Sequence, residues 1–200
     1  YNGSAENNIV WRGPHGAGIF KDVNEMNPDK RYKMIFQGLS ASFSPDGIHW
    51  QNEIDIQGVR VKGDTHNNAL WAPTLNKYVG ITRTKSKEFG REVARIESDD
   101  FINWTKEEVV LYGVEYDLQT YSMPTFYYGG VYLGLVAIHK QSTDRVWTEL
   151  TWSPDTKTWY RIDEGNALIP NSEKVLDYDY GCVYACAYPV FKDDEIIKAT

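Results

Sequence analysis

Two cysteines, no long apolar run and no surplus of basic residues set the first bounds on this chain of 200 residues. Cys182 and Cys186 lie four apart in a stretch that reads as a strand. At about 3.3 Å rise per residue they stand roughly 13 Å apart, too far for a disulfide. They are expected as two buried thiols, and no His or Cys follows to complete a metal site. No apolar run approaches the ~20 residues needed to span a bilayer, so no membrane partner is expected. The net charge is −7, whereas nucleic-acid binding needs a basic footprint, so no nucleic acid is expected either. A phosphate-cradling glycine loop, a nucleophile elbow and a Ser-His-Asp signature are all missing. No stretch sustains a 3.6-residue apolar period, which leaves the chain without a helix candidate. It opens at Tyr1 without a charged-then-apolar leader and stops within a strand-like run. The expectation is a segment of a longer protein, secreted or periplasmic if that parent carries a signal peptide.

What is abundant is aromatic: 7 Trp, 14 Tyr and 7 Phe make up 14% of the chain. Such a load favours β structure and offers flat faces for sugar rings, which suits an acidic protein with a neutral polyhydroxylated ligand. The tryptophans also keep time. Ser44-Pro45-Asp46-Gly47-Ile48-His49-Trp50 returns as Ser98-Asp99-Asp100-Phe101-Ile102-Asn103-Trp104 and as Ser153-Pro154-Asp155-Thr156-Lys157-Thr158-Trp159, the closing tryptophans 54 and 55 residues apart. A period of that size over three copies points to a solenoid, propeller or array.

Each copy reads as four short strands. In the first they are Gly18 to Asp22, Tyr32 to Gln37, Leu39 to Ser44, and Ile48 to Glu53 around Trp50. In the second, Asn68 to Trp71 and Tyr78 to Arg83 precede Arg91 to Glu97, which alternates in the period-2 manner of a half-buried strand, and Asn103 to Val110 follows. The third begins at Met123, carries the nearly all-apolar Val131 to Ile138, and ends around Trp159. A fourth starts at Val183 and turns at Lys192-Asp193-Asp194. The fold class is therefore all-β: a β-propeller of four-stranded antiparallel blades at roughly 17–54, 67–110, 122–163 and 183–200, about three and a half blades in all. The motif serves as the turn between third and fourth strands, and its tryptophan fills the space between blades. Three and a half blades leave open sheet edges, so the remaining blades are expected from the parent chain.

In a propeller the segments leading into the innermost strands meet at one mouth. Those segments hold Glu6-Asn7-Asn8 and His15; Asp64, His66 and Asn67; Asp117 and Tyr121; and Asp179 and Tyr180. Asp64 lies 40 residues before Trp104 and Asp117 lies 42 before Trp159, so the carboxylates occupy corresponding blade positions. Carboxyl groups around one mouth suit glycosidic cleavage, where one protonates the leaving oxygen and a second activates water or attacks the sugar. Asp64, Asp117 and Asp179 are the catalytic candidates. His15, His66, Asn67 and Arg83 are candidates to hold hydroxyls or orient an acid, and Trp71, Tyr121 and Tyr180 to stack on sugar rings. No cofactor and no metal are implied. A non-catalytic glycan- or protein-binding propeller is the rival reading, and a glycoside phosphorylase, which needs a basic phosphate site near the acids, is the third.

The string Ser44 to Trp50 and the run Arg91 to Trp104 resemble the blade endings of five-bladed propeller glycoside hydrolases of families 32 and 43. The resemblance implies a five-bladed fold with acids from successive blades acting as base or nucleophile, transition-state stabiliser and acid on an oligosaccharide or glycoside. By position it too points to Asp64, Asp117 and Asp179. The chain has no Asn-Asp-Pro-Asn-Gly string, no Arg-Asp-Pro triplet and no Glu-Cys pair, and His15-Gly16-Ala17-Gly18 stands where a first-blade acid is expected.

Overall fold

A computed structural model describes residues 3–4, 6–64, 66–192 and 195–197. Strands β1 (Gly18–Lys21), β2 (Tyr32–Phe36), β3 (Ser40–Ser44) and β4 (Ile54–Asp55) pair antiparallel in chain order. So do β5 (Asn68–Ala72), β6 (Lys77–Ser86), β7 (Gly90–Ser98) and β8 (Glu108–Tyr112). In the third sheet the innermost strand is broken. Both β9 (Leu118–Ser122) and β10 (Thr125–Tyr128) pair with successive halves of β11 (Val131–Lys140), which then pairs with β12 (Arg145–Ser153) and β13 (Tyr160–Arg161). The break falls at Met123-Pro124, where proline has no N–H to give the ladder. β14 (Val190–Lys192) and β15 (Glu195–Ile197) form a two-stranded pair; the expected turn at Asp193-Asp194 lies outside the described residues. Among the described residues there is no α-helix.

Three features differ from the sequence reading. The outermost strands start later, at Ile54, Glu108 and Tyr160, because the motif itself is a turn up to its tryptophan. The third sheet takes in Leu118–Ser122, a stretch the sequence reads as the approach to the inner strand. Cys182 and Cys186 are free, with Cys182 exposed and Cys186 half-buried, and they are not in a strand. The chain there bridges the edge of β12 from Cys182 to Val146 and buries Val183 rather than either thiol.

The motif works alike in all three copies. Asp46 Oδ1 accepts from the N–H groups of Ile48 and His49 (both 2.8 Å), Asp100 Oδ1 from Ile102 and Asn103 (2.8 and 2.7 Å), and Asp155 Oδ1 from Lys157 and Thr158 (2.9 and 2.8 Å). The residue after the aspartate takes positive φ: Gly47 at 78°, Phe101 at 67° and Thr156 at 66°. Each indole N–H then donates back to that residue's carbonyl, at 3.1, 3.0 and 2.9 Å. The ring is thereby turned off the strand axis.

Where the ring goes decides the packing. Trp104 joins Phe20, Ile35, Phe43, Tyr78 and Phe101 in the core between the first two sheets. Trp159 joins Leu70, Val79, Ile81, Met123 and Tyr132 between the second and third. Each ring lies against a glycine of the middle ladder. A Cβ on Gly80 would stand 2.7 Å from Ile96 and 3.1 Å from the Trp104 ring; on Gly134 it would stand 2.5 Å from Thr151, 2.9 Å from Met123 and 2.9 Å from the Trp159 ring. Trp50 is only half-buried. A second tie crosses the first two sheets: Lys33, 1% exposed, pairs with Asp22 at 3.2 Å and Glu25 at 2.8 Å, and Asp22 also accepts the Tyr78 hydroxyl at 2.6 Å.

Two outcomes follow from this architecture. Gly134→Ala forces a methyl into the indole seat, and chemical denaturation should show a loss of about 1–3 kcal/mol, the usual cost of overpacking; an unchanged midpoint would contradict the wedge geometry. Burial raises the Asp100 pKa, but hydrogen bonds from Asn103, Ile102 and Ser98 outweigh it and hold the carboxyl at about 2, below its ordinary 3.8. A folded pKa below the unfolded one stabilises above the unfolded value and the gain is lost as pH falls through the folded one. Urea stability should therefore fall between about pH 4 and about 2, and Asp100→Asn should be less stable at neutral pH and lose less over that window.

Candidate functional site

The mouth-side ends of the first and second sheets meet through backbone. Asn67 N–H donates to Gly16 O at 3.2 Å, and a Cβ on Gly18 would stand 2.3 Å from Asn67 O, so only glycine allows β1 this close to β5. Asn67 is buried, its amide donating to Asp64 O and its carbonyl oxygen accepting from Thr82 Oγ1, both at 2.6 Å. These bonds fix Asp64 and Asn67 relative to one another ahead of β5, with His66 at φ 62°. Asn68 ties the loop's end to the third sheet, donating to Met123 O and accepting from Thr125 N–H, both at 3.3 Å. The break in the third inner strand is what makes those two groups available.

On this frame the Asp64 carboxylate is ion-paired with Arg83, which is 5% exposed, and accepts from Gln37 Nε2 at 3.4 Å. Arg83 also donates to Tyr121 O at 3.3 Å and places its guanidinium 4.4 Å from the Tyr121 ring centroid. Tyr121 is the hub. His66 lies 5.9 Å from its ring, Tyr184 5.5 Å, His139 5.4 Å and the Arg91 guanidinium 5.1 Å. Tyr184 closes the group at 4.8 Å from His66. Burial holds the His66 pKa down, helped by the charges of Arg83 and His15 and opposed by Asp64. The Tyr184 hydroxyl is pushed up by burial and by Cys182 and Tyr121. The cluster thus presents a neutral imidazole, two phenols and an ion-paired carboxylate, a set that can exchange hydrogen bonds with hydroxyl groups beside aromatic faces.

Of the residues singled out by sequence, Asp64, His66, Asn67, Arg83 and Tyr121 come together here. His15 is exposed at the margin, its carbonyl accepting from Gln37 N–H at 3.2 Å. Asp117 is half-buried and turned to the β11–β12 connection, accepting from Ser142 N–H at 2.7 Å and Ser142 Oγ at 2.9 Å. Asp179 lines a cavity of about 240 Å³ with Ile169, Tyr178, Cys182, Val183 and Tyr184, so it adjoins the cluster through Tyr184. Tyr180 lies under Arg145, 4.5 Å from the guanidinium. Trp71 stands at the other end of β5, edge-on to Tyr78 at 4.9 Å, because strand direction carries Asn68 and Trp71 to opposite ends of the sheet. It faces a cavity of about 240 Å³ where β1, β5 and β10 finish, with Lys21, Asp22, Tyr127 and Tyr188. Among the described residues no group of three His, Cys, Asp or Glu side chains is placed to hold a metal.

Arg91, Gln119, His139 and Tyr184 were not singled out by sequence. Arg91 had a legible signal: a hairpin turning at 87–89 sets Lys85 opposite Arg91 on the face that carries Arg83. Tyr184 had none, since it reaches Tyr121 from a segment without regular structure.

Three sheets whose innermost strands converge on one mouth define a β-propeller, and the fold is shared with solved glycoside hydrolases and a mannobiose phosphorylase. A glycoside hydrolase structure aligns at TM-score 0.62 and 14% identity over 92% of this chain and 66% of its own. The β-1,2-mannobiose phosphorylase of Listeria innocua, solved with β-1,2-mannobiose, aligns at 0.56 and 16% identity over 80% and 44%. The sucrose-6-phosphate hydrolase of Lactobacillus gasseri aligns at 0.54 and 16% over 76% and 35%. The chain therefore spans from about a third to two thirds of these proteins. No family model and no curated protein matches it.

The electrostatics of the hub can be measured. Imidazole NMR should show His66 titrating below its ordinary 6.5, and Arg83→Met should move that titration upward by removing one positive charge and unmasking Asp64. No movement would mean that Arg83 does not act on His66.

Proposed function

We propose that the protein is the greater part of a five-bladed carbohydrate-active propeller, the remaining blades lying in its parent chain, and that the mouth around Tyr121 binds a saccharide. The observation that carries this is the convergence on one tyrosine ring of a guanidinium that is ion-paired with the Asp64 carboxylate, a neutral histidine and a second tyrosine. Sugar recognition asks for aromatic faces against the C–H side of a ring and fixed donors and acceptors for its hydroxyls. Asp64 is the acceptor, with His66 and Arg83 as donors, and the buried Asn67 fixes the loop on which Asp64 and His66 stand. The fold it shares with glycoside hydrolases and a phosphorylase supports the same ligand class.

Hydrolysis is the second reading, and Asp64 favours it as an ion-paired carboxylate suited to stabilising positive charge on the sugar. Cleavage needs a second carboxyl group across the scissile bond. Asp117 and Asp179 are the available acids; Asp117 is engaged at the Ser142 turn, and Asp179 lines the cavity that adjoins the cluster at Tyr184. With no second acid bonded into the Tyr121 cluster among the described residues, binding ranks first.

Calorimetry with a panel of oligosaccharides tests the reading. Tyr121→Ala should weaken binding by about tenfold or more, on the order of 1.4 kcal/mol, while Tyr180→Ala should leave it unchanged. Equal loss from both, or no binding by the wild type, would contradict the assignment. On aryl glycosides, turnover that falls by about 10²-fold or more in Asp64→Asn and in either Asp117→Asn or Asp179→Asn would establish hydrolysis.

A further inference from the structure

Arg91 is held firmly and left electrically unanswered. Its backbone N–H and its Nη1 both donate to Gln119 Oε1, at 3.1 and 2.9 Å, and its carbonyl accepts from Thr120 Oγ1 at 3.0 Å. A Cβ on the preceding Gly90, at φ 67°, would stand 2.3 Å from the Gln119 side chain, so glycine is what lets Gln119 grip the start of β7. Nη1 also lies 3.3 Å from His139 Nδ1. That nitrogen lies 2.8 Å from Gln141 Nε2, while Nε2 of the same ring faces Asp144 Oδ1 at 2.7 Å. The partners assign a neutral ring with its proton on Nε2, so His139 passes no negative charge to Arg91.

The rest of the guanidinium has nothing to bond. Among the described residues Arg91 makes no ion pair, its Nε is buried without a partner, and no bond is made by Nη2. Directly across the β6–β7 ladder stands Lys85, exposed and likewise outside every ion pair among the described residues. Like charges directly opposed across a ladder are destabilising. Two residues along the same face is Arg83, whose charge Asp64 already answers. A half-buried, preorganised arginine beside an opposed lysine therefore costs stability unless an anion completes it.

We infer that Lys85 and Arg91 form an anion subsite of the mouth, and that the saccharide it receives carries an oxyanion, either a uronate carboxylate or a phosphate group. This rests on the saccharide reading above and narrows it. A guanidinium fork meets either group through paired N–H bonds, Lys85 adds a point charge, and the Tyr121 ring, 5.1 Å from Arg91, lies beside the sugar that bears the anion.

The test is calorimetry on the 200-residue chain with four probes: a neutral oligosaccharide, an oligogalacturonate of the same length, glucose 6-phosphate and inorganic phosphate. The wild type should bind one of the charged saccharides at least about tenfold tighter than the neutral one, with an affinity that falls as salt rises. Whether the oligogalacturonate or the phosphate probes carry the preference distinguishes the two oxyanions. Arg91→Met, which keeps the buried stem, should abolish the preference. Should that variant fail to fold, Lys85→Gln on the exposed side of the pair should reduce the preference severalfold and flatten its salt dependence. Equal wild-type binding of neutral and charged saccharides overturns the subsite while the saccharide reading stands. So does a preference that survives the substitution. Binding of inorganic phosphate alone, lost in Arg91→Met, keeps the anion subsite and removes the saccharide reading; no binding of any probe removes both.

Discussion

A four-stranded sheet has two faces and no means of burying either by itself. Every other feature of this chain depends on how that constraint is met. The solution is an indole folded back by a seven-residue turn over a glycine in a middle strand of its own sheet, where it fills the space against the preceding sheet. Trp104 on Gly80 and Trp159 on Gly134 are two instances of one joint. The aspartate that closes the turn, the positive φ after it and the indole N–H bonded back to the turn are one device for aiming the ring. Truncating a wedge of this size costs about 3–5 kcal/mol, a large part of what holds a domain together.

Stacked in this way, successive sheets bring the starts of their inner strands together, and the mouth is a consequence. Asn67 and Asn68 make the transition from joint to site. One fixes the Asp64 loop on the second sheet, and the other bonds the interrupted inner strand of the third. Interrupting that strand at Met123-Pro124 leaves two backbone groups for Asn68 and sets Tyr121 beside Arg83. The charges are arranged unevenly around the ring: Asp64 answers Arg83, while Arg91 and Lys85 keep their charge, and this asymmetry separates a place for hydroxyls from a place for an anion.

The repeat was legible because it is written in residue types. Ser, Asp and Trp at fixed spacing gave the class of fold and the order of strands, and counting back from the tryptophans reached Asp64, His66 and Asn67. The same count failed to tell where side chains turn. Asp117 holds a corresponding position to Asp64, yet Ser142 offers it two donors and takes its carboxylate to a turn. Trp71 is in the right strand at the wrong end. Tyr184 and Arg91 reach the hub through pairing across loops and ladders, and only the hairpin register of Lys85 and Arg91 can be read in advance. The cysteines mislead for a related reason, since a strand-like composition forms no strand without a partner.

The central claim is that blade packing assembles one ligand site, centred on Tyr121, at this mouth. The most direct measurement is an NMR titration of the aromatic and imidazole resonances with the best-bound saccharide. The account predicts shifts at Tyr121, Tyr184 and His66, with the Trp104 and Trp159 indoles unmoved. Shifts confined to Trp71 and Tyr188 at the opposite end, or to the half-buried Trp50 of the first sheet, would contradict it.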